Sequence, residues 1–467
     1  MALLNDIETF FQAVEEDSVT ELQEIVANVG PEEIAEIANS FNDDGETLLL
    51  VAIKRNQYKL VEFLVEEMKV KIDLYGRLVW KHLDYMEVPP IFAAIMCDHT
   101  PEQSIINFLM DQDLMANNND ASHMHTFVDS IKSSCLNWAQ KIDILELVGS
   151  AYILKVIQSR KQSKSLTIGM HFWFVSLILR RGDYGRPPLR KEPCQLSESA
   201  RKVFEDAAEF TTSEELKAIL DSLNECHLQT QALLIIHRVV SKIHPDPHPF
   251  FLHQLLHFGQ RWFLNQPKRL AAIVMFCINT FQVPDYEAED AQWPKGIVDK
   301  TLVLTSLCSQ LTRNLPPDSA MEILSCFSGF QTRVLEHADA TTSLKQEISK
   351  KLAPVIADFI ENMLMVNPDG TAEFNDWLAQ YMGFINRHSD VLTLLHAACQ
   401  RPSRFKLIPL LLKAEADPNA SDENGKAPLY YLSKKSHQDE AATAVQWLLD
   451  AGAHKEQATR NVRRKKN

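Results

Sequence analysis

The residues with the clearest potential for chemistry are five histidines in the middle of the chain: His237, His244, His248, His253 and His257. A zinc site needs ligands that converge with a defined spacing. The i to i+4 spacing of His253 and His257 would place two imidazoles on one face of a helix, where both could reach one ion. No glutamate stands between them, as it does in the HExxH pattern of zinc peptidases. We therefore expect no metal site in this chain.

Other reactive side chains form no recognisable catalytic set. The eight cysteines contain no CxxC pair, which argues against a zinc ribbon or a thioredoxin-type site and favours buried thiols in a reducing compartment. No Walker loop, GxGxxG, GxSxG or kinase motif is present. Paired acids such as Asp43-Asp44 and Glu66-Glu67 are expected to be solvated faces. The sequence thus predicts a protein that is not an enzyme and needs no cofactor.

Composition predicts a soluble, globular protein of several domains. The chain has 467 residues, of which 45% are hydrophobic and 23% charged. Its longest apolar runs are far shorter than the roughly 18 residues of a membrane span, and its first residues lack a signal-peptide pattern. We expect a cytoplasmic protein with no membrane partner. The basic end, 458–467, is expected to be disordered, with a nuclear address as the alternative.

Negative charge is concentrated at the N-terminal end. The whole chain carries −15, whereas residues 1–120 alone hold 24 Asp and Glu against 7 Lys and Arg. Such a segment repels nucleic acid and attracts basic ligands. A merely solvated acidic surface is the alternative interpretation. We expect no nucleic-acid partner.

The two ends of the chain carry similar segments that are typical of ankyrin repeats. Each such repeat is a pair of antiparallel helices after a T-P-L-H-x-A start. One is Asp44–Glu66, and the others are Leu392–Gln400 and Leu410–Leu432. Thr393 and Ala427 hold the same repeat position, 34 residues apart. We predict an all-α solenoid with about three ankyrin repeats in 1–115 and two in 388–457.

Small and capping residues set the expected register of the N-terminal repeats. Gly45 is expected to make the turn and Thr47 to cap the helix that follows. Ala52 and Ala94 are expected where two helices of a repeat cross closely. Such repeats build binding surfaces and supply no chemistry of their own.

The middle of the chain reads as a tetratricopeptide-like helical domain over 136–387, joined to the first repeats by a linker at 116–135. Leu255, Gly259, Trp262 and Ala271 fit the spacing of a 34-residue helical repeat. Leu145, Gly149 and Tyr152 match the first half of that pattern. Gly259 and Ala271 are expected to be small because two helices touch there.

An insertion of aromatic character, Asp73–Val88, separates the second and third N-terminal repeats. It contains Tyr75, Trp80 and Tyr85. A ligand contact is one interpretation of such an insertion. Local packing of a long finger is the other.

The order of these parts resembles the Fem (feminization) family. Three segments carry the resemblance: TQALLIIHRVVSKIHPDPHPFFLHQLLHFG at Thr230–Gly259, ILELVGSAYILK at Ile144–Lys155, and VFEDAAEFTTSEELKAIL at Val203–Leu220. The resemblance implies a substrate receptor of a cullin-RING ubiquitin ligase, which captures C-terminal arginine degrons in an acidic ankyrin groove. Family members have more N-terminal repeats and end in a box that docks Elongin C. This chain shows no matching box.

The resemblance implies a peptide-binding site at the inserted finger, with Trp80, Asp84, Tyr85 and Glu87 as candidate contacts. The family's acidic residue falls on Lys81, so Asp84 and Glu87 would have to replace it. The expected function is a Fem-like adaptor that binds protein C-terminal peptides for ubiquitin-dependent degradation, with a protein substrate or basic peptide, Elongin C and a cullin as partners. The alternative is an ankyrin and tetratricopeptide scaffold without ligase docking.

Overall fold

The computed structural model is mostly helical, as expected for an all-α protein. It describes residues 2–80, 83–97, 104–116, 122–155, 162–182, 186–205, 207–222, 224–242, 248–280, 302–306, 308, 317–336, 342–367, 370–388, 390–433 and 439–455. Among these helices, none combines the length and the apolar character needed to cross a membrane. The basic end 458–467 lies outside the described residues.

The chain divides into an N-terminal unit, Met1–Leu255 with Pro294–Ile297, and a C-terminal unit made of the remaining residues. This division differs from the predicted boundaries at 115 and 387. The helices of the N-terminal unit are α1 Ala2–Glu15, α2 Val19–Asn28, α3 Pro31–Ala38, α4 Leu48–Lys54, α5 Tyr58–Glu66, α6 Pro90–Cys97, α7 Ser104–Ala116, α8 Ser122–Ser133, α9 Trp138–Lys155, α10 Gln162–Arg180, α11 Glu198–Phe204, α12 Ser213–Asp221 and α13 Glu225–Ser241. Helix α14, Pro249–Trp262, contains the boundary.

The C-terminal unit continues as short and long helices packed in sequence order. They are α15 Pro267–Thr280, α16 Pro317–Glu336, α17 Thr342–Val366, α18 Ala372–Ile385, α19 Leu394–Gln400, a 3-10 helix Pro402–Leu407, α20 Ile408–Lys413, α21 Pro428–Ser433 and α22 Asp439–Asp450. Helix α16 packs on α15 and α17, and α19 packs on α17 and α21. Neighbours in sequence are therefore mostly neighbours in space.

One turn geometry occurs in both units. In the N-terminal unit, Asn42 Oδ1 accepts the backbone N–H groups of Asp44 and Glu46 at 3.1 and 2.8 Å. The backbone N–H of Asn42 donates to the Glu46 carbonyl at 3.0 Å. Gly45 completes this turn with φ +80°, a conformation that glycine adopts without strain.

The same turn, with the same hydrogen bonds, occurs in the C-terminal unit. Asp422 Oδ1 accepts the N–H groups of Asn424 and Lys426 at 2.8 and 2.9 Å, and the N–H of Asp422 donates to the Lys426 carbonyl at 3.0 Å. Gly425 has φ +66°. An Asn or Asp three residues before a glycine thus builds the same closed loop before a buried helix in both units.

The helix starts behave as the sequence predicts. Thr47 Oγ1 accepts the backbone N–H of Leu50 at 3.2 Å, which caps α4. Thr393 caps α19 in the same way, with His396 as its partner. Ala52 and Ala94 are buried, on α4 and α6, two helices that pack against each other.

Helices α9 and α10 of the N-terminal unit approach each other closely. Gly149 and Gly169 face each other, so a Cβ on Gly169 would stand 2.6 Å from the Gly149 carbonyl oxygen. Gly259 has a related role in the C-terminal unit, where a Cβ would meet Ile273 of α15 at 3.0 Å. The expected helix contact at Gly259 is confirmed.

The region predicted as a linker differs from the prediction. Residues 116–135 contain α8, because Val128 and Ile131 lie one helical turn apart and are both buried. Residues 7–39 form the end of α1 together with α2 and α3. Proline favours the first position of a helix, and α3 begins at Pro31.

The inserted finger is a β-hairpin, which the all-α prediction missed. Strand β1, Gly76–Trp80, pairs antiparallel with β2, Leu83–Val88, and Leu78 stands opposite Tyr85. Leu78 and Val88 are fully buried, whereas Val79 and Met86 are exposed. Along β1 this alternation is the period-2 pattern of a half-buried strand, whereas in β2 Met86 and Val88, two residues apart, differ in burial. So short a pattern does not stand out in the sequence.

Candidate functional site

The hairpin brings the candidate peptide contacts to the turn before α4. The backbone N–H of Arg77 donates to the Gly45 carbonyl at 2.8 Å, which attaches β1 to that turn. At Gly76 there is no room for a side chain, since a Cβ would stand 2.6 Å from Leu50 Cδ1. The hairpin is therefore held against α4 and α6 rather than free in solvent.

Asp84 is already paired within the hairpin. Arg77 Nε and Nη2 donate to its two carboxylate oxygens, each at 2.9 Å. This bidentate pair, through its hydrogen bonds to Arg77, holds the pKa of Asp84 below its usual range. A ligand guanidinium at Asp84 would occupy the position that Arg77 now holds.

The other candidate contacts also have partners in the chain. The Tyr85 ring packs on Phe92 of α6 with 5.4 Å between centroids, and burial raises the pKa of Tyr85. Glu87 Oε2 accepts the backbone N–H of Cys135 at 3.0 Å. Trp80 lies in β1, but its side chain is outside the described residues, as is Lys81. Asp84, Tyr85 and Glu87 thus lie on one strand. The carboxylates of Asp84 and Glu87 both accept hydrogen bonds from within the chain.

The histidines do not converge where they are described. His248 is buried, its Nε2 lies 3.0 Å from the Met96 carbonyl oxygen, and its Nδ1 accepts the N–H of Phe250 at 3.2 Å. His244 lies outside the described residues. Within the part of the chain that the structure describes, no group of three or more His, Cys, Asp or Glu side chains could hold a metal ion.

The most unusual feature of the N-terminal unit is a group of buried charges that we call the buried ion cluster. Its members are Glu146, Arg180, Lys191, Glu209 and Arg238, supplied by α9, α10, two loops and α13. Glu146 and Glu209 have fully buried side chains, and the side chain of Lys191 is only 1% exposed. Charges at this depth need partners, because removing them from water is costly.

Each charged side chain of the buried ion cluster has at least one oppositely charged partner. Glu146 pairs with Arg238 and, at 3.1 Å, with Arg180 Nη2. Glu209 accepts Arg238 Nε at 3.0 Å and lies 2.8 Å from Lys191 Nζ. Burial alone would raise the pKa of Glu146, but the three cations around it hold that pKa well below the carboxyl range. Glu146 is therefore ionised in the fold.

Two cavities of the same unit adjoin this cluster. One, of about 420 Å³, is lined by Arg180, Arg190, Arg238 and Lys242 together with Asp143 and Glu192. The other, of about 490 Å³, lies between the end of α10 and the start of α12. Both openings place guanidinium and ammonium groups beside polar loops, an arrangement suited to holding oxyanions.

Sequence reasoning missed the buried ion cluster. The available signal was a single charge inside an otherwise apolar helical stretch: Glu146 in ILELVGS and Arg238 in LLIIHRVVS. Amphipathic helices carry charge on a solvent face, so a charge amid residues that are apolar all round marks a buried pair. Which charges pair could not be read without the packing of α9 and α13.

Comparison with known proteins leaves the family open. A scan against models of protein families found no match to this chain, and a search of curated proteins found no relative. The resemblance to the Fem family therefore rests on the segments Ile144–Lys155, Val203–Leu220 and Thr230–Gly259.

Proposed function

We propose that this chain is a non-catalytic recognition protein with ankyrin-type repeats at both ends and tetratricopeptide-like helix pairs between them. In this proposal it acts as an adaptor similar to Fem-type subunits of cullin-RING ubiquitin ligases. It binds C-terminal peptides of protein substrates and presents them for ubiquitin-dependent degradation. The ligase part of the proposal rests on the sequence resemblance.

The repeated turn is the observation that carries the recognition part. Asn42 and Asp422 make the same four hydrogen bonds around Gly45 and Gly425, and each turn leads into a short buried helix. A turn reproduced this closely in two units supports one repeated supersecondary element used at both ends. Repeat stacks of this kind act through their surfaces.

The hairpin supports a binding role for the N-terminal repeats. Insertions between repeats project from one face of a stack, often the binding face, and this hairpin is bonded to the turn at Gly45. Its outward residues include the Arg77–Asp84 pair and the exposed Val79 and Met86. In the proposed mode, an arginine of the ligand displaces Arg77 from Asp84 while Tyr85 and Glu87 hold the strand in place.

This mode predicts a gain of affinity when the internal competitor is removed. We expect Arg77→Ala to tighten binding of a peptide ending in arginine by about twofold to fivefold, the range set by an exposed ion pair. Asp84→Asn should weaken the same binding. The measurement is fluorescence anisotropy of labelled peptides ending in arginine or alanine, titrated with the full chain.

Arg55→Ala is the matched control, because Arg55 is an exposed arginine of the same acidic segment, 3.9 Å from Glu15. It changes the net charge by the same amount without freeing Asp84. Equal gains for Arg77→Ala and Arg55→Ala would mean that net charge alone attracts the peptide, and the site at Asp84 would be wrong.

The ligase part is tested by direct assembly. We expect recombinant full chain to retain the Elongin B–Elongin C complex and a cullin at micromolar concentrations, though weakly, since no docking box is recognised in the sequence. A Fem-family protein that carries the box serves as the positive control. If that control binds and this chain retains neither Elongin B–Elongin C nor the cullin, the proposed ligase function is wrong and the scaffold function replaces it.

A further inference from the structure

The two cavities beside the buried ion cluster lie next to each other along one stretch of chain. Arg180, Leu189, Arg190 and Pro193 line both of them. We call the two adjoining cavities together the arginine groove. With volumes of about 420 and 490 Å³ on either side of Arg190, it is far larger than a single phosphate or carboxylate group. A ligand that fills it must be extended.

The cations of the arginine groove differ in how far their charge is already neutralised. Arg180 and Lys191 pair with buried carboxylates of the cluster. Arg181 donates from Nη2 to Ser213 Oγ at 3.1 Å, a neutral acceptor, and has no carboxylate partner among the described residues. Arg190 is exposed and makes no ion pair or hydrogen bond with any residue that the structure describes. Among the described residues, the guanidinium groups of Arg181 and Arg190 therefore have no anionic partner.

Bonds fix the described ends of the loop that carries these two arginines. The backbone N–H of Leu189 donates to the Arg180 carbonyl at 2.8 Å, and Arg181 and Arg190, which follow these two residues, line the same cavity of about 490 Å³. Gly182 has φ +78°, and a Cβ there would stand 2.6 Å from the Arg186 carbonyl oxygen. Lys191, next to Arg190, pairs with Glu209. The backbone beside both arginines is thus ordered before any ligand arrives, which lowers the entropy cost of binding.

Further donors lie on the opposite side of the groove. Thr211, Thr212 and Ser213 line it, and Thr212 caps the nine-residue helix α12. The backbone N–H groups of Ser213 and Glu214, in the first turn of that helix, have no acceptor among the described residues. They supplement the guanidinium groups, which carry most of the positive charge.

We propose that the arginine groove binds an acidic segment of a partner protein, with carboxylate or phosphate oxyanions on Arg181 and Arg190. Guanidinium groups bind such oxyanions through paired N–H donors. The apolar side chains of Leu177, Leu189 and Pro193 also line the groove and suit a polypeptide, and Asp143, Glu192 and Glu214 line its edges beside the cations. A nucleic acid fits less well, because residues 1–120 of the same unit carry 24 acidic against 7 basic side chains and would repel a polyanion. The inference rests on the proposed function only in taking the chain to be a binding protein.

The test is fluorescence anisotropy with the full chain and labelled octapeptide pools. One pool contains four glutamates per peptide, a second replaces them with phosphoserine, and a third with glutamine. We expect both acidic pools to bind, the glutamine pool not to bind, and affinity to fall as salt rises. The acidic pool that binds more tightly identifies carboxylate or phosphate as the preferred oxyanion. Binding of all three pools with equal affinity would overturn the proposal.

Variants locate the site. The double variant Arg181→Gln, Arg190→Gln should weaken binding of the acidic pools at least tenfold, whereas Arg201→Gln should leave it unchanged. Arg201 is the matched control, because it is an exposed arginine of the same unit that does not line the groove. Unchanged binding by the double variant, or tighter binding of a single-stranded oligonucleotide of equal charge, would contradict the inference.

The same proteins separate this inference from the ligase proposal. Retention of Elongin B–Elongin C is measured on the wild type and on the double variant. If wild type binds the acidic pools but not Elongin C, the arginine groove is supported and the ligase function is wrong. If wild type retains Elongin C but binds no acidic pool, the ligase function is supported and the arginine groove is wrong.

Discussion

Replacing Arg238 with methionine is expected to destabilise the N-terminal unit by about 3–5 kcal/mol, the usual cost of removing one partner from a buried ion pair. Arg238 pairs with both Glu146 and Glu209, whose side chains are fully buried. Without Arg238, the cationic partners that the described residues leave to these carboxylates are Arg180 and Lys191. Urea unfolding followed by circular dichroism, together with hydrogen exchange of α9 and α13 peptides, measures the loss.

Lys242→Met is the matched control for Arg238→Met. Lys242 also pairs with an acid of this region, Asp143 at 2.9 Å, but its side chain is 52% exposed. An exposed pair contributes about 0–1 kcal/mol. Equal losses from Lys242→Met and Arg238→Met would show that burial does not set the strength of these pairs.

The buried ion cluster also predicts how stability depends on pH. The folded pKa of Glu146 lies below its unfolded value, so its contribution is complete above the unfolded carboxyl pKa of about 4.3. That contribution is lost progressively as pH falls below this value toward the folded pKa. The stability difference between wild type and Glu146→Gln should therefore shrink in urea titrations taken from pH 6 down to pH 3.

The second large effect is expected at the contact of α9 with α10. In Gly169→Ala, the new Cβ would stand 2.6 Å from the Gly149 carbonyl oxygen and 2.7 Å from Ile153 Cγ1. A backbone oxygen cannot rotate away as a side chain can, so the helices must separate. Overpacking of this kind costs about 1–3 kcal/mol, and thermal unfolding should show a clear drop in midpoint.

Gly383→Ala provides the opposite control. Gly383 lies on the exposed face of α18, and a Cβ there would meet nothing within 4 Å. Replacing a helical glycine by alanine at an open position stabilises by about 0.5–1 kcal/mol. If Gly169→Ala melted at the parental midpoint, the close approach of α9 and α10 would be wrong.

The helical nature of the chain could be predicted because local signals agree. Thr47, Thr393 and Gly45 act through their immediate neighbours, so their capping and turn roles follow from sequence alone. Gly259 was identified by repeat spacing, and its contact with α15 confirms it. Helix α8 was missed because residues 116–135 have the pattern of a linker when read alone, whereas in the fold α8 packs on α9 and α10.

The candidate site was harder to predict for a related reason. Asp84 could be identified as an acid of the inserted finger, but its pairing with Arg77 depends on a strand register that the sequence does not display. The buried ion cluster depends on five segments meeting in space. Charge balance at such a point is a property of the packed unit, so no single window of sequence contains it.

The wide separation of Glu146 and Arg238 along the chain bears on the order of folding. These two residues are 92 positions apart, whereas Gly149 and Gly169 belong to consecutive helices. Closing a long loop costs more entropy than forming a local helical hairpin, so α9 and α10 should pair before α13 joins them. Substitutions at the glycine contact should therefore slow refolding, whereas loss of Arg238 should mainly speed unfolding. The buried ion pairs would then form late in folding and determine the rate at which the N-terminal unit unfolds.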